Sequence, residues 1–122
     1  MSASVFTDGE LAYLHGAPRL GRLATVGRDA MPHVVPGGWT HNVETDTIDV
    51  TGRQLERTKK FRDVARNGFA AIVIDDLASL DPWRPRAIEV RGRAEALHDP
   101  EPLIRIHPDR DVSWGLGAAD GE

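Results

Sequence analysis

The chain has 122 residues, 28% of them charged, a net charge of −4 and no cysteine. Its length suits one domain that buries roughly two-thirds of its unfolded surface, with little room for a cofactor pocket of its own, so a large ligand lies more easily between two copies. The acidic balance excludes general nucleic-acid binding, which needs a basic domain. The missing thiols exclude a disulfide framework, a zinc–thiolate site and a cysteine nucleophile.

The first ten residues lack the basic start and apolar run of a secretory leader. No stretch reaches the roughly 18 apolar residues of a membrane span, so the expected location is the cytoplasm. Thr7-Asp8-Gly9-Glu10 has the form of a capping box, with Leu11 and Leu14 as the apolar stripe behind it. That predicts a helix ending near Gly16-Ala17-Pro18. Residues 20–26 read as a strand and 32–39 as its return across Gly27-Arg28-Asp29-Ala30, which makes a β-hairpin.

A polar turn over 42–46 leads to a strand at 47–51. Residues 57–66 have helical spacing, with Phe61, Val64 and Ala65 on one face, and Asn67-Gly68 supplies the stop. Residues 69–74 are almost wholly apolar, the pattern of a strand buried on both faces. Two prolines and three aspartates mark 75–85 as a loop. Residues 87–97 alternate as a long strand with one wet face, 103–107 give a last strand, and a glycine-rich tail follows, expected to be mobile over about 117–122. Six strands and two helices predict a single mainly β domain over 1–122, an antiparallel barrel with peripheral helices.

One segment stands out electrostatically. Between positions 53 and 66 lie six basic residues (Arg53, Arg57, Lys59, Lys60, Arg62, Arg66) against two acidic ones, Glu56 and Asp63. The cluster falls at the start of a predicted helix, where the macrodipole disfavours cations. A bound phosphate resolves that conflict; a solvated helix face in an arginine-rich chain is the alternative. The five histidines show no metal-ligand spacing, and Ser113 lacks the Gly-x-Ser-x-Gly elbow of a hydrolase. Asp75 and Asp76 read as turn or capping residues. Trp39, Trp83 and Trp114 fall at strand ends or in loops, as core residues, interface anchors or platforms for a planar ring.

Seven segments in order resemble the pyridoxamine 5′-phosphate oxidase-like proteins, and within them the deazaflavin-dependent branch. They are Gly21-Arg22-Leu23-Ala24-Thr25-Val26, Pro32-His33-Val34-Val35-Pro36, Arg57-Thr58-Lys59-Lys60-Phe61-Arg62-Asp63-Val64, Asp81-Pro82-Trp83-Arg84-Pro85-Arg86, Glu89-Val90-Arg91-Gly92-Arg93-Ala94, Ile104-Arg105-Ile106-His107-Pro108 and Ser113-Trp114-Gly115. The resemblance implies a split β-barrel homodimer of FMN-binding type, with cofactor sites in the subunit interface. It implies that Arg57 and the triplet Thr58-Lys59-Lys60 hold the cofactor phosphate, and that Val34, Val35 and Pro36, with Thr51 and Gly52, line the ring. Trp83 and Trp114 belong to the same implied site.

The family's oxidases carry arginine where this chain has His33, which points from FMN towards coenzyme F420. Ala30 stands where the family's hairpin has glycine, so a turn of different shape is expected. The implied reaction is hydride transfer between a deazaflavin and a small organic substrate, with His33 and His41 as candidate proton donors. An FMN-dependent oxidoreductase, or a non-catalytic carrier of flavin, deazaflavin or haem, are the alternatives. No metal is expected.

Overall fold

The computed structural model describes residues 3–116. The capping box forms: the Thr7 hydroxyl accepts from the Glu10 amide at 3.1 Å, and the Thr7 amide donates to Glu10 Oε1 at 3.0 Å. It opens α1 (Asp8–Leu14), which lays Tyr13 and Leu14 on the core. The strands are β1 (Gly21–Val26), β2 (Pro32–Asn42), β3 (Thr47–Thr51), β4 (Phe69–Ser79), β5 (Arg84–Leu97), β6 (Leu103–Ile106) and β7 (Arg110–Trp114). A 3₁₀ turn (Leu55–Arg57) and α2 (Lys59–Asn67) lie between β3 and β4. Among the described residues no helix is long and apolar enough to cross a membrane.

All pairings are antiparallel, in the order β4-β1-β2-β3-β6-β5, and β5 returns to β4 to close a six-stranded barrel. The length of β5 makes closure possible. Along one edge, residues 84–93 pair with β4; along the other, Ala94–Leu97 meet β6 and Ala87–Arg91 meet β7. The chain passes from β6 to β7 in a bend that crosses Gly92. A Cβ there would collide with the His107 carbonyl oxygen, so the crossing needs glycine. Ile48, Val50, Ile72, Ile74, Ile88, Val90, Ile104 and Ile106 fill the interior, each at most 2% exposed. They are the inward half of each alternating strand.

Four expectations change. Residues 75–79, read as loop, continue β4, and only 80–83 turn. Asp76 is therefore a mid-strand ion-pair hub, bonded by Arg19, Arg86 and the Tyr13 hydroxyl, rather than a cap. A seventh strand, β7, is added at residues whose short pattern offers no period to read. On α2 the buried third residue is Asp63 in place of Ala65. And β4 covers only one face: Ala70, Ile72 and Ile74 point in, while Phe69 is 58% exposed. The β1–β2 turn keeps a left-handed third residue, Ala30, at φ 65°, so alanine bears the conformation that glycine adopts freely.

The α1–β7 contact carries a titration. Glu10 is buried and accepts from Ser113 Oγ at 2.7 Å. Burial, then the Glu10 carboxyl, push the neighbouring Asp111 up to about 6. A raised carboxyl pKa means that the folded state holds the proton more tightly. The contribution is complete below the unfolded value of about 3.9 and is lost as pH rises through about 6. Asp111→Asn should therefore raise the thermal midpoint at pH 7.5 and flatten its decline between pH 4 and 7. An unchanged midpoint profile would show that the two carboxyls do not interact.

Candidate functional site

Thr58 is the N-cap of α2. Its hydroxyl donates to Leu55 O at 2.6 Å and accepts from the Phe61 amide at 3.3 Å. The hydroxyl proton is thus spent within the chain, and Thr58 shapes the helix start. The first-turn amides of Lys59 and Lys60 have no helical carbonyl to bond. Lys60 is half-buried and has no side-chain partner among the described residues. Arg57 is exposed, and its carbonyl accepts from Arg62.

Lys59 is tied down differently. Its ammonium bridges both oxygens of Asp63, at 3.2 and 3.1 Å, while remaining 48% exposed. Asp63, 2% exposed, also accepts from Thr25 Oγ1 at 3.0 Å and Arg66 at 2.9 Å. Burial pushes the Asp63 carboxyl up, but the bonds from Lys59, Thr25 and Arg66 outweigh it and hold the pKa below the ordinary carboxylate value. Asp63 thereby fixes α2 to β1. The Lys59 ammonium crosses Gly27, where a Cβ would come within 2.9 Å of it.

A cleft of about 550 Å³ opens here, lined by Arg28, Asp29, Met31, Pro32, His33 and Lys59. His33 lies opposite Thr25 on β2, so its ring faces the α2 side. Its Nδ1 is buried without a hydrogen-bond partner, an unusual state for a buried polar atom. Arg28, at the hairpin tip, also has no side-chain partner among the described residues. The cleft thus gathers the cations Arg28 and Lys59 and the His33 ring beside a helix start.

The ring-lining residues divide. Strand alternation sends Val34 and Pro36 to the outer face and turns Val35, opposite Leu23, inward. Beyond them Gly37 and Gly38 have open space where a side chain would stand, and Gly38 pairs with Thr51. Gly52 follows at the exposed end of β3. Trp83 sits in the β4–β5 turn and Trp114 on β7 opposite Ala87, 67% and 45% exposed, neither lining this cleft. The His41 side chain is 3% exposed, with one ring nitrogen on Asp46 and the other on His15.

A family model described as pyridoxamine 5′-phosphate oxidase matches residues 7–112. The chain belongs to the pyridoxamine 5′-phosphate oxidase family. It is 43% identical over 120 residues to the 5a,11a-dehydrotetracycline/5a,11a-dehydrooxytetracycline reductase of Streptomyces rimosus, covering 91% of this chain and 84% of that one. At that identity the chemical class carries over: the protein is an oxidoreductase. A conserved hypothetical protein of Mycobacterium tuberculosis superposes with a TM-score of 0.74 at 19% identity, covering 96% and 89% of the two chains. An F420 reductase does so at 0.64 and 20%, covering 83% and 94%.

Within this pyridoxamine 5′-phosphate oxidase fold the split barrel is as expected, and so is the basic start of α2. Two residues that shape this site lie outside the set that the sequence points to as cofactor-binding. Arg28 is six positions from the nearest arginine or lysine in sequence and joins the cleft only through the hairpin. Asp63 was legible in principle, because its spacing of four from Lys59 and three from Arg66 is that of helical ion pairs.

Proposed function

We propose that the protein is an F420-dependent reductase acting as a homodimer. The observation that carries this is the cleft at the start of α2, where Arg28, Lys59 and His33 line the space beside first-turn amides that have no helical carbonyl, with Lys60 on the same helix turn. Such a donor set suits a phosphate ester, and the open space at Gly37 and Gly38 suits a flat ring approaching the backbone. Lys59, Lys60 and Arg57 would hold the phosphate, with Thr58 fixing the helix start. Val34, Pro36, Thr51 and Gly52 would border the ring. A reduced deazaflavin bound there supplies a hydride; the protein's part is to orient the two rings and exclude water. Histidine at position 33, in place of a permanently charged arginine, favours the deazaflavin over FMN.

The dimer reading rests on the outer face of β1, β2, β4 and β7. Val26, Val34, Phe69, Val112 and Trp114 are 37–64% exposed there, on a sheet whose apolar residues occupy both sides. A lone chain leaves this face wet; a second copy covers it and brings Trp83 or Trp114 towards the neighbouring cleft. A stable interface needs more than about 1,000 Å². By analogy with the Streptomyces relative, the substrate is a conjugated polycycle whose C=C bond is reduced.

The test is a titration of the purified protein with F420 and with FMN, followed by tryptophan fluorescence, beside light scattering. Tighter binding of F420 by a dimer is expected. Preference for FMN would replace the cofactor, and a monomer at micromolar concentration would remove the shared site.

A further inference from the structure

Reducing a C=C bond consumes a hydride and a proton, and the proton needs a source. His41 has no ring nitrogen to offer a substrate, since both are engaged within the chain and its side chain is buried. Its Nε2 lies 2.8 Å from Asp46 Oδ1 and its Nδ1 lies 2.9 Å from His15 Nε2. Asp46 is held as a carboxylate: burial raises its pKa, but the Val5 amide, His41 and Ser4 lower it further. An ionised Asp46 takes the Nε2–H of His41, which leaves His41 Nδ1 as an acceptor for His15 Nε2–H. The free atom of the chain is His15 Nδ1.

His15 caps the C-terminus of α1 and is exposed. It lines a cleft of about 470 Å³ with Arg19, Gly38, Trp39, Thr40 and His41. Gly38 is the residue that pairs with Thr51 at the edge of the proposed ring platform. His41 is three residues along the same strand, about 10 Å away at a strand's rise. A fused polycycle stacked over Gly38 and running along β2 reaches His15.

We propose that His15 is the catalytic acid of the reductase, with His41 and Asp46 as positioning residues that fix its tautomer. The proposal rests on the reductase reading above. Protonated His15 gives its Nδ1 proton to the substrate carbon, or to its conjugated oxygen, as the reduced deazaflavin's hydride forms the other C–H bond. The C=C π bond breaks, the cofactor is oxidised by two electrons, and His15 is left neutral with Nε2–H still on His41. Solvent then restores the Nδ1 proton. The charged group lining this cleft is Arg19, occupied by Asp76 at 3.0 Å; Asp46 and Glu44 line the adjoining cleft, which His15 and His41 share.

The alternative is that the three residues only anchor α1, and two measurements separate the roles. The first is nitrogen NMR of the histidine side chains in the cofactor-free protein. Neutral His15 and His41 should each carry the proton on Nε2, and Asp46→Asn should scramble that tautomer in both rings. Adding 5a,11a-dehydrotetracycline should shift the His15 signal. A different tautomer, or an unmoved His15 signal, overturns the proposal even if F420 fails to bind, a failure that would count against the cofactor reading alone.

The second is turnover of that compound with reduced F420. His15→Gln keeps an N–H for His41 but cannot ionise. It should keep its thermal midpoint and F420 affinity, lose about 100-fold in kcat with little change in KM, and lose the decline of kcat at high pH. A variant with normal kcat and pH profile overturns the proposal.

Discussion

Asp63→Ala should lose about 1–3 kcal/mol of folding stability, the cost of leaving a buried donor without its acceptor, since the cations it releases, Lys59 and Arg66, reach solvent. Three donors, Thr25, Lys59 and Arg66, converge on this carboxylate, and alanine would leave Thr25, itself 2% exposed, without its acceptor. Domains of this size hold only about 5–15 kcal/mol in total, so the loss is a large share. Asp63→Asn, which keeps an acceptor for Thr25 and drops the charge, should fall between wild type and alanine. The pH dependence gives an independent reading. A depressed carboxyl pKa contributes stability above the unfolded value of about 3.9, and that contribution disappears as pH falls below it. Urea unfolding at pH 7 and pH 3.5 measures both: the gap between wild type and variant should shrink in acid. A gap that does not change with pH would mean that Asp63 acts through packing alone.

Lys60→Ala should weaken F420 binding about ten- to a hundredfold, corresponding to one charge-assisted hydrogen bond of about 1.5–3 kcal/mol. Its thermal midpoint without cofactor should stay level, because Lys60 has no partner to lose among the described residues. Lys59→Ala should differ. Besides weakening the cofactor it removes one of Asp63's partners and lowers the midpoint, modestly because the ammonium is half-exposed. Salt should weaken the wild type more than the double variant, since screening acts on the same contacts. Normal F420 affinity in Lys60→Ala would make the basic helix start a solvated surface.

How much of this was legible beforehand follows from the range of the interactions. The sequence by itself determined whatever depends on neighbours along the chain. The Thr7–Glu10 box, the Gly68 stop, the β1–β2 hairpin and the alternation of residues 87–97 each rest on contacts within a few positions. So does the basic start of α2, because the clash between lysines and the helix dipole is local. Ordered segments then sufficed to suggest the barrel.

Only the tertiary structure decided the rest. Residues 75–79 have loop composition, yet β5 offers a continuous edge and the ladder extends; Asp76 is tolerated mid-strand because Arg19 and Arg86 reach it from elsewhere. The short strand β7 exists because the bend over Gly92 returns the chain to the same edge of β5. Val34 and Val35 read as one ring-lining unit until the pleat sent them to opposite faces. His15 and His41, 26 positions apart, meet where the end of α1 reaches β2, and Arg28 of the hairpin and Lys59 of α2 line one cleft. Long-range pairing sets which side chains converge, and no local pattern in a single sequence encodes that convergence.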